Sequence, residues 1–160
     1  MIGHYLKRMR EKIGHDKIIH PAARAIIEND QGEFLFILRN DNGQVGLPAG
    51  GMEENETIVD CVIREVREET GLTMIDPVCI GVDSRPELQT HTYQNGDCVQ
   101  YFVVEFYCQN YEGKLAIEDH NEVASVAFQS MAYVEKLPPL ERSTFHSLRH
   151  FRENGVPLVR

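Results

Sequence analysis

The stretch from Leu47 to Leu72, LPAGGMEENETIVDCVIREVREETGL, sets the tightest limits on what this chain can fold into. Its first part is a turn. Pro48-Ala49-Gly50-Gly51 can bend sharply, and glycine lets the backbone approach closely whatever packs on it. Its second part is a helix: Thr57 can cap it, Asp60 three residues on completes a weakened capping box, and Gly71 stops it after about Thr70. At about 100° per residue, Val59, Val62, Val66 and Thr70 share one side of that helix. That side is expected to enter the core.

Glu65, Glu68 and Glu69 project from a neighbouring stripe, because positions i, i+3 and i+4 share a face. Like charges at this spacing cost a few tenths of a kcal/mol per pair in a bare helix, roughly. Such a stripe asks for a cation. Carboxylate oxygens suit hard divalent ions such as Mg²⁺ and Mn²⁺, and a main-chain carbonyl of the glycine turn can join them. A solvated acidic face is the plainer reading of an arbitrary acidic cluster, and the close turn beside this one argues against it. The net charge of −9 points the same way. It excludes a general nucleic-acid surface, which needs clustered Lys and Arg, and fits cation binding.

The rest of the chain reads as one domain over residues 1–160. Ile2, Tyr5, Leu6, Met9 and Ile13 have helical spacing, so residues 1–14 are expected to form an amphipathic helix that packs on its own domain or serves a homodimer contact. AARAIIE and EFLFILR flank the turn signal DQG, which predicts a β-hairpin over Ala22 to Arg39. Thr73 to Val82 reads as one strand and Cys98 to Cys108 as a long one, with a polar hairpin or functional loop, Asp83 to Asp97, between them. Glu122 to Phe128 is a further strand. Met131 to Leu137 and residues 140–152 read as helices, stopped by Gly155 and Pro157. Strands with interleaved helices predict an α/β fold, a mixed sheet covered by helices on its faces. No apolar run is long enough for a membrane-spanning helix. Cys61, Cys79, Cys98 and Cys108 show no CxxC spacing, and MIGHYLKRMR lacks the apolar core of a secretory signal, so reduced thiols in the cytoplasm are expected.

Gly50, Glu56 and the run Arg64-Glu65-Val66-Arg67-Glu68-Glu69-Thr70-Gly71-Leu72 together match G-x5-E-x7-R-E-U-x-E-E-x-G-U, where U is a bulky aliphatic residue. At all nine specified positions the stretch resembles the box of the Nudix hydrolases, and the strand order across most of residues 20–138 is similar to that family. The resemblance implies an α/β/α sandwich and a hydrolase acting on phosphoric anhydrides, with a nucleoside diphosphate linked to another group X as substrate and Mg²⁺ or Mn²⁺ as cofactor. It implies that Glu65, Glu68 and Glu69 hold the metal with the carbonyl of Gly50, that Arg64 orients the carboxylates, and that Glu56 is structural or an outer metal contact. Asn55 stands where many members have glycine, and Asn tolerates a left-handed turn. Val45 stands where relatives often carry an aromatic residue, so base stacking is not expected there.

Cleavage of a diphosphate also needs a base to activate water. Glu65 and Glu69 are candidates within the box; outside it, Glu122, near Glu118 and Asp119, resembles an acidic residue that relatives place near the metals. Arg39 ends its strand just before the box and is a candidate phosphate contact by the same resemblance. TYQNGD at 92–97 is similar to a hairpin of a subset of these hydrolases; Arg85 and Tyr93 flank that loop and are candidate substrate contacts. His146 and His150 stand four apart on the last helix without a third soft ligand nearby, and are expected to be surface or packing residues. The competing function is a non-catalytic nucleotide-binding regulator on the same fold. Such domains usually lose box carboxylates, and here all are present. Nucleotide sugars, dinucleoside polyphosphates and nucleoside triphosphates all remain open as substrates, since the loops select X.

Overall fold

Alternation of side chains along one strand decides the architecture. A computed structural model describes residues 3–118 and 120–160; Ile2 of the N-terminal stripe and Asp119 beside Glu122 lie outside the described residues. After α1 (His4–Ile13) comes β1 (Ile18–Ile27), whose residues leave alternately to opposite sides. Ala23, Ala25 and Ile27 join one apolar cluster and Ile26 another, all at 0% exposure. A strand buried on both faces needs a layer on each.

The elements that follow are β2 (Phe34–Arg39), β3 (Val45–Gly46), β4 (Ala49–Gly51), α2 (Ile58–Thr70), β5 (Leu72–Met74), β6 (Val78–Asp83), α3 (Pro86–Gln89), β7 (Thr90–Thr92), β8 (Cys98–Cys108), β9 (Tyr111–Gly113) and β10 (Val123–Gln129). A 3-10 helix (Met131–Lys136), α4 (Pro139–Asn154) and β11 (Leu158–Val159) complete the chain. Among the described residues the main sheet runs β11-β6-β8-β1-β4, with β7 also on β8, and a second sheet runs β10-β2-β3. The main sheet is mixed: β1 lies parallel to β8 and antiparallel to β4. Cys61, Val62 and Val66 of α2 cover one side with Ala23, Ala25 and Phe106, while Phe145 and Leu148 of α4 cover the other with Ile26 and Ile80. This is the expected sandwich, a mixed sheet flanked by helices.

Several elements differ from the sequence expectation. β1 and β2 do not form a hairpin ladder; a single bridge, Glu28 to Phe34, joins them. β1 has taken a central place between β8 and β4, so β2 pairs with β10 and β3 instead. The strand expected over Thr73 to Val82 is split, because Asp76 adopts a positive φ of 49° and Pro77 has no N–H to donate. Its halves go to different partners, β5 to β9 and β6 to β8. The polar segment after β6 holds the short α3 and a β7–β8 hairpin whose turn passes Gly96 at φ 90°. The helix expected over Met131 to Leu137 is of the 3-10 type.

Candidate active site

The box helix begins as expected: the Thr57 hydroxyl accepts from the Asp60 N–H, and the Asp60 carboxylate accepts from the Thr57 N–H. It ends at Gly71, left-handed at φ 78°. Val62, Val66 and Thr70 are fully buried, whereas Val59 in the first turn is 38% exposed and the buried side begins at Cys61. At 100° per residue Glu65 and Glu69 fall between Cys61 and Val62 on the helix circumference, so two of the three carboxylates share the buried arc. Glu69 is 2% exposed.

Arg64 organises the group. Its Nε and Nη2 donate to the two oxygens of Glu56 at 3.0 and 2.8 Å, its Nη1 to Glu65 at 2.7 Å and to Glu68 at 3.3 Å. Nη2 also donates to the carbonyl of Gly51 at 3.1 Å, which ties the helix to the turn. Gly50 is required by packing: a Cβ there would fall inside the Glu65 carboxylate. The last carboxylate is fastened separately, Glu69 accepting from the N–H of Ala49 at 3.0 Å. Among the described residues no three His, Cys, Asp or Glu side chains already form a metal-sized cage, since Arg64 stands between Glu65 and Glu68.

Burial dominates the electrostatics. It lifts the Glu65 carboxyl to about 7 against the pull of Arg64, and lifts Glu69 to about 8, with the neighbouring Glu65 charge adding to it. The Arg64 hydrogen bonds hold Glu56 below the usual carboxylate range, and Glu56 in turn holds the guanidinium charged.

The remaining candidate residues are not brought to one place. Arg39, at the end of β2, donates from Nε and Nη2 to both oxygens of Asp41, and these two residues line a cavity of about 200 Å³ with Asn121 and Glu122. The ladder between β2 and β10, with the Asn40 N–H donating to the Glu122 carbonyl at 2.8 Å, brings Glu122 to Arg39. The charges of Arg39 and Glu69 act on each other, which links this cavity to the box. Tyr93 shares a hydroxyl hydrogen bond of 2.6 Å with Tyr101, and its ring meets His91 edge-on. Arg85 is not brought to this group; its guanidinium holds Asp83 and Ser143. His146 is exposed, and His150 accepts from Asn154.

Sequence reasoning missed a buried polar row behind the site. Gly81, Glu105, Arg24 and Ala49 stand side by side across the main sheet. Glu105, 0% exposed, accepts from Thr144 at 2.9 Å and Ser147 at 2.5 Å, while Nη2 of Arg160 lies 3.5 Å away. The lone charge in each of two apolar runs, AARAII and FVVEFYC, was the available signal.

The family model described as NUDIX domain matches residues 18–151, and the chain belongs to the Nudix family. It is 30% identical over 135 residues to the nucleoside triphosphatase NudI of Salmonella arizonae, covering 78% of this chain and 90% of that protein. Over 74 residues it is 40% identical to the ADP-ribose pyrophosphatase of Methanocaldococcus jannaschii, covering 43% of each. Three curated relatives are matched over only 28% to 43% of their own length. Among solved structures, the MutT protein of Methanosarcina mazei superposes with a TM-score of 0.61 at 28% identity, over 88% of this chain and 99% of that one.

Proposed function

We propose that this chain is a divalent-metal-dependent pyrophosphohydrolase that cleaves the diphosphate linkage of a nucleoside diphosphate joined to a further group X. The observation that carries the reading is the burial of Glu65 and Glu69 against the Gly50 turn, with Arg64 gathering Glu56, Glu65 and Glu68 beside them. The donors are hard oxygens, and the burial that raises Glu65 and Glu69 disfavours their charged forms, which a dication offsets, so the set fits Mg²⁺ or Mn²⁺. Glu65, Glu68, Glu69 and the Gly50 carbonyl would hold the metal, with Glu56 acting through Arg64 or as an outer contact. The metal supplies neutralisation of the phosphate oxygens and acidification of a bound water.

The chain's own residues then bind and orient. Arg39, aimed by Asp41, offers a planar guanidinium to a phosphate group. Glu65 and Glu69 within the box and Glu122 outside it are the candidates for the base that takes a proton from the attacking water. Tyr93 faces the part of the substrate that does not react, and Arg85 fixes the segment leading to it. Cys61, Cys79, Cys98 and Cys108 are free thiols, which supports a cytoplasmic setting. Among the described residues no helix is long and apolar enough to cross a membrane.

One relative is named for ADP-ribose and another for nucleoside triphosphates, so the test spans both classes of X together with dinucleoside polyphosphates. The expected result is metal-dependent release of a nucleotide or phosphate from one class, abolished by chelator and reduced by orders of magnitude in Glu68→Gln. Undiminished turnover by Glu68→Gln would overturn the assignment of the carboxylates. Tight nucleotide binding without turnover would instead make the chain a regulator.

A further inference from the structure

The family match begins at residue 18, so α1 lies outside it. Yet α1 is wired to both halves of the candidate site. At its start, the Tyr5 N–H donates to Oε2 of Glu53 at 3.0 Å, and a Cβ at Gly3 would collide with the same carboxylate. The Glu53 N–H donates to Glu56 at 2.8 Å, and Glu56 is the residue that grips Arg64. Three hydrogen bonds in series thus join α1 to the guanidinium that holds Glu65 and Glu68.

Further along the helix, Arg10 reaches the other half. Its Nη2 donates to the Cys98 carbonyl at 2.7 Å and its Nη1 to the carbonyls of Asp16 and Gly14, while Nε stands 3.6 Å from Asp97. Asp97 also takes His15 at 2.7 Å and the side chain of Asn95 at 2.9 Å, and its carbonyl accepts from the Tyr93 N–H at 2.8 Å. Between these two ends the rings close the frame: Tyr5 stacks on His20 at 5.7 Å, His20 meets Tyr101 at 6.1 Å, and Tyr101 bonds Tyr93. His20 in turn lies against Gly51, where a Cβ would come within 2.5 Å of its ring.

We infer that α1 is a positioning element of the active site, in which Arg10 fixes the Tyr93 loop for substrate and the Glu53 contact fixes Glu56 and Arg64 for the metal-holding carboxylates. The inference rests on the hydrolase reading for its kinetic consequence, not for its structural one. A helix that merely adds stability would leave KM and kcat unchanged in folded variants. A positioning helix splits them: Arg10→Ala raises KM about tenfold with kcat nearly kept, because what it loosens is substrate orientation. Glu53→Ala keeps the N–H that Glu56 accepts but frees the start of α1 from the turn; it lowers kcat about tenfold with a larger metal requirement, as loosening of the residues that orient metal ligands does.

The experiment measures both constants and amide hydrogen exchange on wild type, Arg10→Ala and Glu53→Ala, at a temperature where all are folded by circular dichroism. Arg10→Lys, which keeps the charge but cannot span the Cys98, Gly14 and Asp16 carbonyls together, replaces Arg10→Ala if the latter does not fold. The expected result is the split above, together with exchange at the Tyr93 and Gly96 amides faster by about tenfold in the Arg10 variant. Wild-type exchange in that loop, or kinetic constants unmoved in both variants, would overturn the inference. If wild type turns over no substrate on the panel, the hydrolase reading fails by itself, and the exchange rates alone decide whether α1 orders the loop.

Discussion

The N–H of Ala49 donates to Oε2 of Glu69 at 3.0 Å, so the last carboxylate of the box is fastened to the turn that presents Gly50. Helix and turn thereby meet at a fixed separation, and the Glu69 carboxyl has a structural partner of its own. Glu69→Gln keeps the shape and an acceptor for Ala49 while removing the charge. Turnover is expected to fall by about 10² or more, as for loss of one preorganised electrostatic contact, with melting temperature in chelator unchanged or higher. Kinetics with a Mg²⁺ titration and a melting curve check this; turnover within a few-fold of wild type would remove Glu69 from the site.

The buried carboxyls also predict a pH dependence. Glu65 at about 7 and Glu69 at about 8 both lie above the ordinary 4.5, so folding favours their protonated forms. Their contribution to stability is fully present below 4.5 and is lost as pH rises through 7 and 8. In chelator, wild type should therefore lose melting temperature across that window relative to a Glu65→Gln, Glu69→Gln double variant. Added Mg²⁺ should restore more stability the higher the pH, because the ion competes with protons for the same oxygens. A difference between the two proteins that stays flat from 4.5 to 8 would contradict the assigned shifts.

Glu105 is buried at 0% exposure beside Arg24 in the middle of the main sheet. Its removal takes away the charge that most offsets burial of the Arg24 guanidinium, whose hydrogen bonds go to Thr144 and Gln89, breaks the ion pair with Arg160, and leaves Thr144 and Ser147 without their acceptor. Glu105→Ala should cost about 3–5 kcal/mol in urea denaturation. A loss under about 1 kcal/mol would mean that the row is not paired as described.

Gly71 ends the box helix at φ 78°, with the carbonyl oxygens of Lys114 and Ala116 at 2.5 and 2.6 Å from where a Cβ would stand. Gly71→Ala pays roughly 1–2 kcal/mol for the left-handed backbone alone, and the clash adds to it. A marked drop in melting temperature is expected. An unchanged one would show that the segment following β9 yields freely.

What the sequence determined by itself is what local chemistry controls. Thr57 and Asp60 start the box helix and Gly71 ends it, because caps and left-handed glycines act over three or four residues. The long apolar run from Cys98 to Cys108 is one strand, and the carboxylate stripe follows from helical periodicity. The tertiary structure alone decided the rest. DQG marks a turn, but burial of β1 on both faces, a property of the assembled sheet, sent β2 to β10. Arg85 and Tyr93 flank one loop in sequence, yet Asp83 claims one and Tyr101 the other. The row of Glu105 and Arg24, the meeting of Arg39 with Glu122, and the reach of Arg10 to Cys98 join residues about 80 positions apart or more. No window along the chain holds both partners, and only burial of the shared core brings them side by side.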